Sequence, residues 1–545
     1  MGSSSVGRID APTLKAQLHD GAEIALLDAR EERTFAARHM LLAVCVPLSR
    51  MELMVGDLVP RRDTRVVWCD DGDGLAEPAA ARMAALGYSR VSVLEGGLKA
   101  WVAAGYRFYS GIHVPSKAFA EVVEHEAGTP WVTAEELKGL IESKADIAIY
   151  DSRSFEEYNN NSIPGAISVP GAELVYRFTD LTPSPETTVI VNCGGRTRSI
   201  IGAQSLINAG FKNHIVSLKD GTMAWHLAGY GVVNGADRRP PPVSDKGKQA
   251  ALDGARAVAD LCEVRRIGLA DLAAWRAETG RRTLYVFDVR TPEEYAAGHL
   301  RGALSAPGGQ LIQETDYHMA VWGARAVLVD DTGVRATMTA SWLTQMGWPE
   351  VAVLAMDDIP AAEWPALAKG PHVPTALGFD PASVSAIGVD ALRDGLAAGR
   401  MLVVDLADSK RYRGGHIPGA HFATRARLAR VLPKLPKADA LVFTSPDGAL
   451  AGLAARDAAA FAEVFAAAPV PVHVLAGGTA AWIAAGHALE TGATNMADEA
   501  DDVWLPAREL GMNREEAMRE YLAWEIDLAN QMATDDDHRF RVRAP

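Results

Sequence analysis

Hydrophobic and polar positions recur along the chain in one fixed order. A short apolar run ends in aspartate at LLDAR (Asp28), IYDSR (Asp151), VFDVR (Asp288) and VVDLA (Asp405). A second apolar run follows each, in VVWCDDGDG, VIVNCGGRTR, VLVDDTGVR and LVFTSPDGA, and breaks into a turn before an amphipathic stretch. Short β-branched runs bounded by turn residues predict buried strands, and the stretches behind them predict helices. A third marker is a glycine turn opening a helix with tryptophan: LEGGLKAW (Trp101), LKDGTMAW (Trp225) and LAGGTAAW (Trp482), eroded to AMDDIPAAEW (Trp364) in the third copy. Helical stretches lie between, such as TAEELKGLIES, where Thr133 and Glu136 make a capping box.

The spacing makes this a repeat. Asp28 to Asp151 and Asp70 to Cys193 are both 123 residues; Asp151 to Asp288 and Cys193 to Asp330 are both 137. Matching Gly448 to Gly333 puts Ser445 at the same position of the fourth copy. Strand, helix, strand, helix in each unit predicts an α/β fold, a parallel sheet flanked by helices, four times in tandem. The expected division is 5–108, a linker at 109–130, 131–233, a linker at 234–261 carrying the exposed stretch RRPPPVSDKGK, 262–370, 379–489, and a C-terminal helical extension at 490–545. In that extension Asn513 is expected to cap a helix whose apolar side holds Met518, Tyr521, Leu522, Trp524, Ile526 and Leu528, packed on the repeats. The 109–130 segment precedes the second unit and is placed to wall its site.

Chemistry concentrates at residues 189–210. The run Val189–Val191 ends at Cys193, the loop Gly194, Gly195, Arg196, Thr197, Arg198 follows, and Ser199 opens a helix closing at Gly210. A loop opening a helix aims several N–H groups into one small volume, with the helix dipole adding positive potential. Such a bowl is expected to lower the thiol's pKa and hold an anion on or beside its sulfur. Asp70, Asp330 and Ser445 replace the cysteine elsewhere, so the first, third and fourth units read as scaffold or binding domains. Cys69 falls one residue early, on the opposite strand face, and is expected in the core. A histidine recurs at His39, His299 and His416, but Ser162 stands there in the cysteine unit, which favours a structural role.

Composition narrows the setting. A net charge of −15 over 545 residues argues against nucleic-acid binding. No apolar run is long enough to span a membrane, and MGSSSVGRIDAP lacks the apolar core of a secretion signal. Cys45, Cys69, Cys193 and Cys262 are scattered with no C-x-x-C, which argues against a zinc site or a disulfide framework and suits a reducing cytoplasm.

The ordered set (D-x-R with a following E-x-Y, H-I-P-G-A at 416–420, the cysteine loop, the G-G-x-x-x-W end) resembles the rhodanese domain, and the chain resembles a four-repeat rhodanese sulfurtransferase over roughly residues 5–489. The resemblance implies that Cys193 attacks a sulfane donor, thiosulfate or a low-molecular-weight persulfide, and keeps a persulfide that a thiol or cyanide then attacks. This is ping-pong transfer with a covalent intermediate and no cofactor or metal. Backbone N–H groups of residues 194–199 are expected to hold the persulfide anion, and Arg196 and Arg198 to attract the donor, with Arg177 a further anion contact. Asp151 and Arg153 resemble the family's strand-end pair, and Asp28–Arg30 and Asp288–Arg290 in cysteine-free units favour a structural salt bridge. Glycines directly after the cysteine, and Glu157 at a position where relatives carry arginine, depart from the family pattern. Two other readings stay open: a persulfide sensor that loads without turnover, and a cysteine phosphatase, against which C-x4-R instead of C-x5-R argues. Small anionic donors and thiol or cyanide acceptors are the expected partners of a monomer or a homodimer.

Overall fold

The computed structural model describes residues 6–360, 364–465, 470–509 and 513–545; the expected domain start at residue 5 lies outside them. In the second unit the sheet runs Trp131–Val132, Ile215–Leu218, Thr188–Asn192, Ile147–Asp151, Ile167–Ser168, every pair parallel. The third sheet repeats this order with Arg265–Arg266, Glu350–Ala355, Arg325–Asp330, Leu284–Asp288 and Leu304–Ser305, and the first and fourth follow it. Parallel neighbours need crossover connections, so helices cover both faces and the strands read as unbroken apolar runs. Val189, Ile190 and Val191 are accordingly buried, and the strand they form is central. Its carboxyl end is where Cys193 emerges, the usual ligand edge of such a sheet.

The repeats interleave. Val321–Trp322, from the third unit, pairs antiparallel with Ile24–Asp28 of the first, so that sheet is not purely parallel as expected. One hydrophobic core joins Trp68 and Phe119 to Ile200, Phe287 and Trp342 across three units. Polar contacts follow the same seams: Tyr285 donates to the Leu58 carbonyl at 2.5 Å, Arg335 pairs with Glu173, and Arg425 pairs with Glu52.

Both linkers contain helix. Val114–Ala127 packs against the helix Thr197–Asn208 that follows the thiol loop, and against the C-terminal helix Arg514–Met532. In the 234–261 segment only the proline stretch is extended; Ser244 caps an 18-residue helix, Asp245–Cys262, that buries Ala251, Ala255 and Val258. Asn513 precedes the C-terminal helix without a side-chain cap bond, correcting the expected cap. Ile526 is exposed and Glu525 buried, so the covered face is rotated from the expected one.

Candidate active site

Cys193 is the first residue past the strand Thr188–Asn192, and its side chain is buried with the sulfur lining a cavity. Its Sγ donates to Ser199 Oγ at 3.4 Å, and Ser199 Oγ donates on to the Arg196 carbonyl at 2.8 Å. The Cys193 carbonyl accepts from Thr222 N at 2.9 Å and Thr222 Oγ1 at 3.0 Å, and the Gly194 carbonyl from Met223 N at 3.1 Å. This contact explains the glycine–tryptophan marker. Gly221 has φ +54°, and a Cβ there would overlap the Cys193 carbonyl; Gly97 and Gly478 press the same way on Asp70 and Ser445.

The three thiol-free loops reveal what the loop is shaped to hold. Asp70 accepts from the backbone N–H groups of Gly72, Leu75 and Ala76 at 2.9, 2.8 and 3.0 Å. Asp330 accepts from those of Gly333 and Arg335 at 2.5 and 2.9 Å, and Ser445 Oγ from those of Gly448 and Ala451 at 3.1 and 3.3 Å. By the repeat spacing these donors correspond to Gly195, Arg196, Arg198 and Ser199. In three units the loop is an amide cradle filled by an oxygen; in the second the Cys193 sulfur takes that position, bonded to the Ser199 hydroxyl and with the Ser199 N–H acting on it.

The thiol's pKa departs from expectation. Burial pushes it up, the nearby Glu525 charge adds to this, and Arg198 with the Ser199 hydroxyl and N–H only partly offset it. The other thiols do not share the cradle. Cys45 and Cys69 are driven far higher by burial beside Asp28, and burial pushes Cys262 up to about 11. Cys69 packs in the core of the first unit, as its strand position predicted.

Several expected anion contacts are engaged elsewhere. Arg196 lines the cavity but is buried against Glu121 (2.6 and 2.8 Å), Asp220 (2.8 Å) and Glu124, carboxylates that balance its charge. Arg177 pairs with Glu173 at 2.6 Å and is not part of the cavity wall. Thr197 Oγ1 donates to Glu525 Oε1 at 2.7 Å, tying the loop to the C-terminal helix. Arg198 reaches the sulfur electrostatically but forms a two-pronged pair with Glu157 at 2.6 and 2.9 Å, a pairing that Arg335 and Glu294 repeat in the third unit. Gly194 and Gly195 both lie outside the positive-φ region. Asp151 and Arg153 form a buried pair at 2.7 and 2.9 Å, matched by Asp28–Arg30 and Asp288–Arg290. His39, His299 and His416 bond backbone carbonyls and stack on aromatic rings.

The cavity is composite. Lys117 from the linker helix, Gln313 and Glu314 from the third unit, and Trp504, Tyr521 and Glu525 from the C-terminal extension complete its wall. Lys117 Nζ donates to the Ile112 carbonyl at 2.7 Å and lies 5.1–5.4 Å from the ring centres of Trp504, Tyr521 and Trp524; burial pushes its pKa down to about 8. The 109–130 segment stands at the wall as its place before the second unit leads one to expect, but Lys117 itself, Gln313, Glu314, Trp504 and Glu525 are not singled out from the sequence. The signal available was an acid, Glu525, at helical spacing inside the stripe of Tyr521, Leu522 and Leu528. Among the described residues the three-ligand cluster His19, Asp536 and Asp537 lies outside the cavity, and Lys15 already pairs with both aspartates.

Comparison with known proteins agrees with the repeat. The rhodanese-like domain model matches residues 10–104, 133–228, 269–357 and 388–485, well over half of the chain. The crystal structure of a thiosulfate sulfurtransferase from Pseudomonas aeruginosa is 46% identical, covering 99% of this chain and 100% of that one with a TM-score of 0.93. Thiosulfate sulfurtransferases of Azotobacter vinelandii and Pseudomonas aeruginosa are 27% and 26% identical over 157 and 171 residues, 28% and 27% of this chain. The chain spans 57% and 62% of the length of those two relatives. No helix among the described residues is long and apolar enough to cross a membrane.

Proposed function

The chain belongs to the rhodanese-like family, and from that premise we propose that it is a sulfurtransferase with one working domain, the second. The Cys193 thiolate attacks the outer sulfur of thiosulfate or of a low-molecular-weight persulfide. The donor's S–S bond breaks, sulfite or a thiolate leaves with the electron pair, and Cys193–S–S⁻ remains. A thiol or cyanide then takes the outer sulfur and releases the Cys193 thiolate. No resident cofactor enters either step, and the reading extends to a cytoplasmic protein, monomer or homodimer, with small-molecule partners.

One observation carries this reading: the same loop offers its amides to a carboxylate or hydroxyl oxygen in the first, third and fourth units and presents a thiol at that position in the second. Amides that satisfy a carboxylate suit a persulfide anion, and the Arg198 charge, though paired with Glu157, adds to the field on the sulfur, whereas Arg196 is held by its own carboxylate partners. The relatives named thiosulfate sulfurtransferase support thiosulfate as one donor.

The test is turnover. Thiosulfate plus cyanide is expected to give sustained thiocyanate and sulfite, and Cys193→Ser to reduce both to background. Intact mass after donor exposure is expected to show one added sulfur, absent in Cys193→Ser. Loading without turnover would favour the sensor instead, and unaltered turnover in Cys193→Ser would refute the proposal.

A further inference from the structure

The two-step reading leaves one buried acid beside the thiol loop without a task. Glu525 lies on the covered face of Arg514–Met532 and is 1% exposed. Its Oε1 accepts from Thr197 Oγ1 at 2.7 Å; Oε2 is buried and no donor among the described residues meets it at hydrogen-bond geometry, although the Tyr521 hydroxyl one turn away interacts with the same carboxylate. Oε2 stands over the loop itself: a Cβ on Gly195 would sit 3.2 Å from it and 3.5 Å from Tyr521 Cε1. Glu525 and Cys193 line one cavity, and the carboxylate is close enough for its charge to act on the thiol. A buried acceptor left without a geometric partner is costly, more so when charged, so a retained one asks for a proton donor in the functioning site.

The second half-reaction brings such a donor. We propose that Glu525 is its general base, so that the sulfur acceptor is a thiol that enters the site protonated; this rests on the Cys193 persulfide reading. Oε2 takes the proton of R–SH as the thiol sulfur bonds to the outer persulfide sulfur. The inner S–S bond breaks with its electron pair onto Cys193, leaving R–S–S⁻ and a protonated Glu525. Return of that proton gives R–S–SH and restores the carboxylate, so atoms and charge balance. The groups facing Glu525 from the packed elements are His113, Lys117 and Glu121 on and before the linker helix (His113 paired with Asp316), Tyr521 on its own helix, Arg196, Arg198 and Cys193 on the loop side, and Glu314 from the third unit.

The size of the effect is bounded by the acceptor's chemistry. A thiol of pKa about 8.5 is roughly 3% ionised at pH 7, so a base is worth at most about thirtyfold there and nothing once the thiol ionises unaided. Glu525→Gln keeps an oxygen for Thr197 and removes the base. The experiment loads Cys193 with sulfur from thiosulfate, removes excess donor, and follows sulfur loss by intact mass with glutathione or with sulfite, which attacks through a lone pair without shedding a proton. Expected is a tenfold to thirtyfold slower transfer to glutathione at pH 7, converging on the unsubstituted rate above the thiol's pKa, with sulfite slowed far less. Equal slowing with both acceptors, or a deficit that persists at high pH, overturns the base and leaves a positioning contact. Full glutathione rate in Glu525→Gln also overturns it. If the unsubstituted protein takes up no sulfur, the Cys193 reading itself has failed, a result distinct from the other three.

Discussion

The second and third units carry the same loop on the same strand end, yet one is finished and the other is not. In the third, Asp330 occupies the cradle, and burial pushes its carboxyl up to about 7 even with the amides and Arg335 beside it. In the second, the smaller Cys193 side chain leaves the amides around a sulfur that faces a cavity. Around both loops the scaffold is alike: Asp151–Arg153 matches Asp288–Arg290, and Glu157–Arg198 matches Glu294–Arg335. The difference therefore teaches which parts serve the fold and which serve the chemistry. Paired charges common to both units are architecture. What belongs to the second alone is the thiol and the cover supplied by Lys117, Tyr521 and Glu525.

The comparison breaks most completely if the two loops are made alike. Cys193→Asp is expected to lose all thiocyanate formation while its carboxylate takes the amides as Asp330 does. Burial pushes the Asp330 carboxyl up to about 7, so an aspartate buried the same way at position 193 should cost stability once it ionises: relative to Cys193→Ala, this variant should lose melting temperature as the pH rises from about 4 to about 7 and level off above that. Calorimetry of the two variants across roughly pH 4–8 checks it; a difference between them that does not change with pH would mean that position 193 does not bury its side chain as position 330 does.

A smaller effect follows from the thiol's upward shift. The attacking species is the thiolate, and its fraction rises tenfold per pH unit below the pKa. Because burial raises that pKa, the rate of sulfur uptake at limiting thiosulfate should keep climbing through pH 9. The sign is fixed by the protonation state: a lowered pKa gives a plateau near neutrality, a raised one does not. Uptake that levels off below pH 8 would show that the cradle outweighs burial after all.

Most of the fold was legible because it is written four times. The constant offsets of Asp28, Asp151 and Asp288 from their loops located each central strand, and the cysteine stood alone at its position. What escaped was whatever joins segments far apart in the chain. Nothing local says that Val321–Trp322 pairs with the first sheet, because an edge pairing needs only compatible backbone. Arg196 looked like a ligand since its partners Glu121, Glu124 and Asp220 come from two other segments. Amphipathic periodicity says that a helix has a partner without saying which, and so the C-terminal helix gave no warning that it roofs the thiol.

The finest distinction between the two units rests on the residue two places past the cradle's first position, Gly195 in the second and Thr332 in the third. Backbone strain does not account for the glycine, since Gly195 lacks a positive φ. Approach does: a Cβ would stand 3.2 Å from Glu525 Oε2, so the carboxylate must retreat by a few tenths of an ångström. Gly195 is buried, so the added methyl must be taken up by that small retreat, and Gly195→Ala is expected to cost no more than about 1–3 kcal/mol, with no strained dihedral to add to it. Sulfur uptake by Cys193 should be nearly unchanged, because the alanine methyl points away from the thiol toward the roof. Transfer to glutathione at neutral pH should fall severalfold, less than in Glu525→Gln, because the base is displaced rather than removed. Single-turnover rates for the two half-reactions separate these outcomes. A loss confined to uptake would place the importance of Gly195 in the cradle, and the contrast between the two loops would then lie in the backbone rather than in the helix above it.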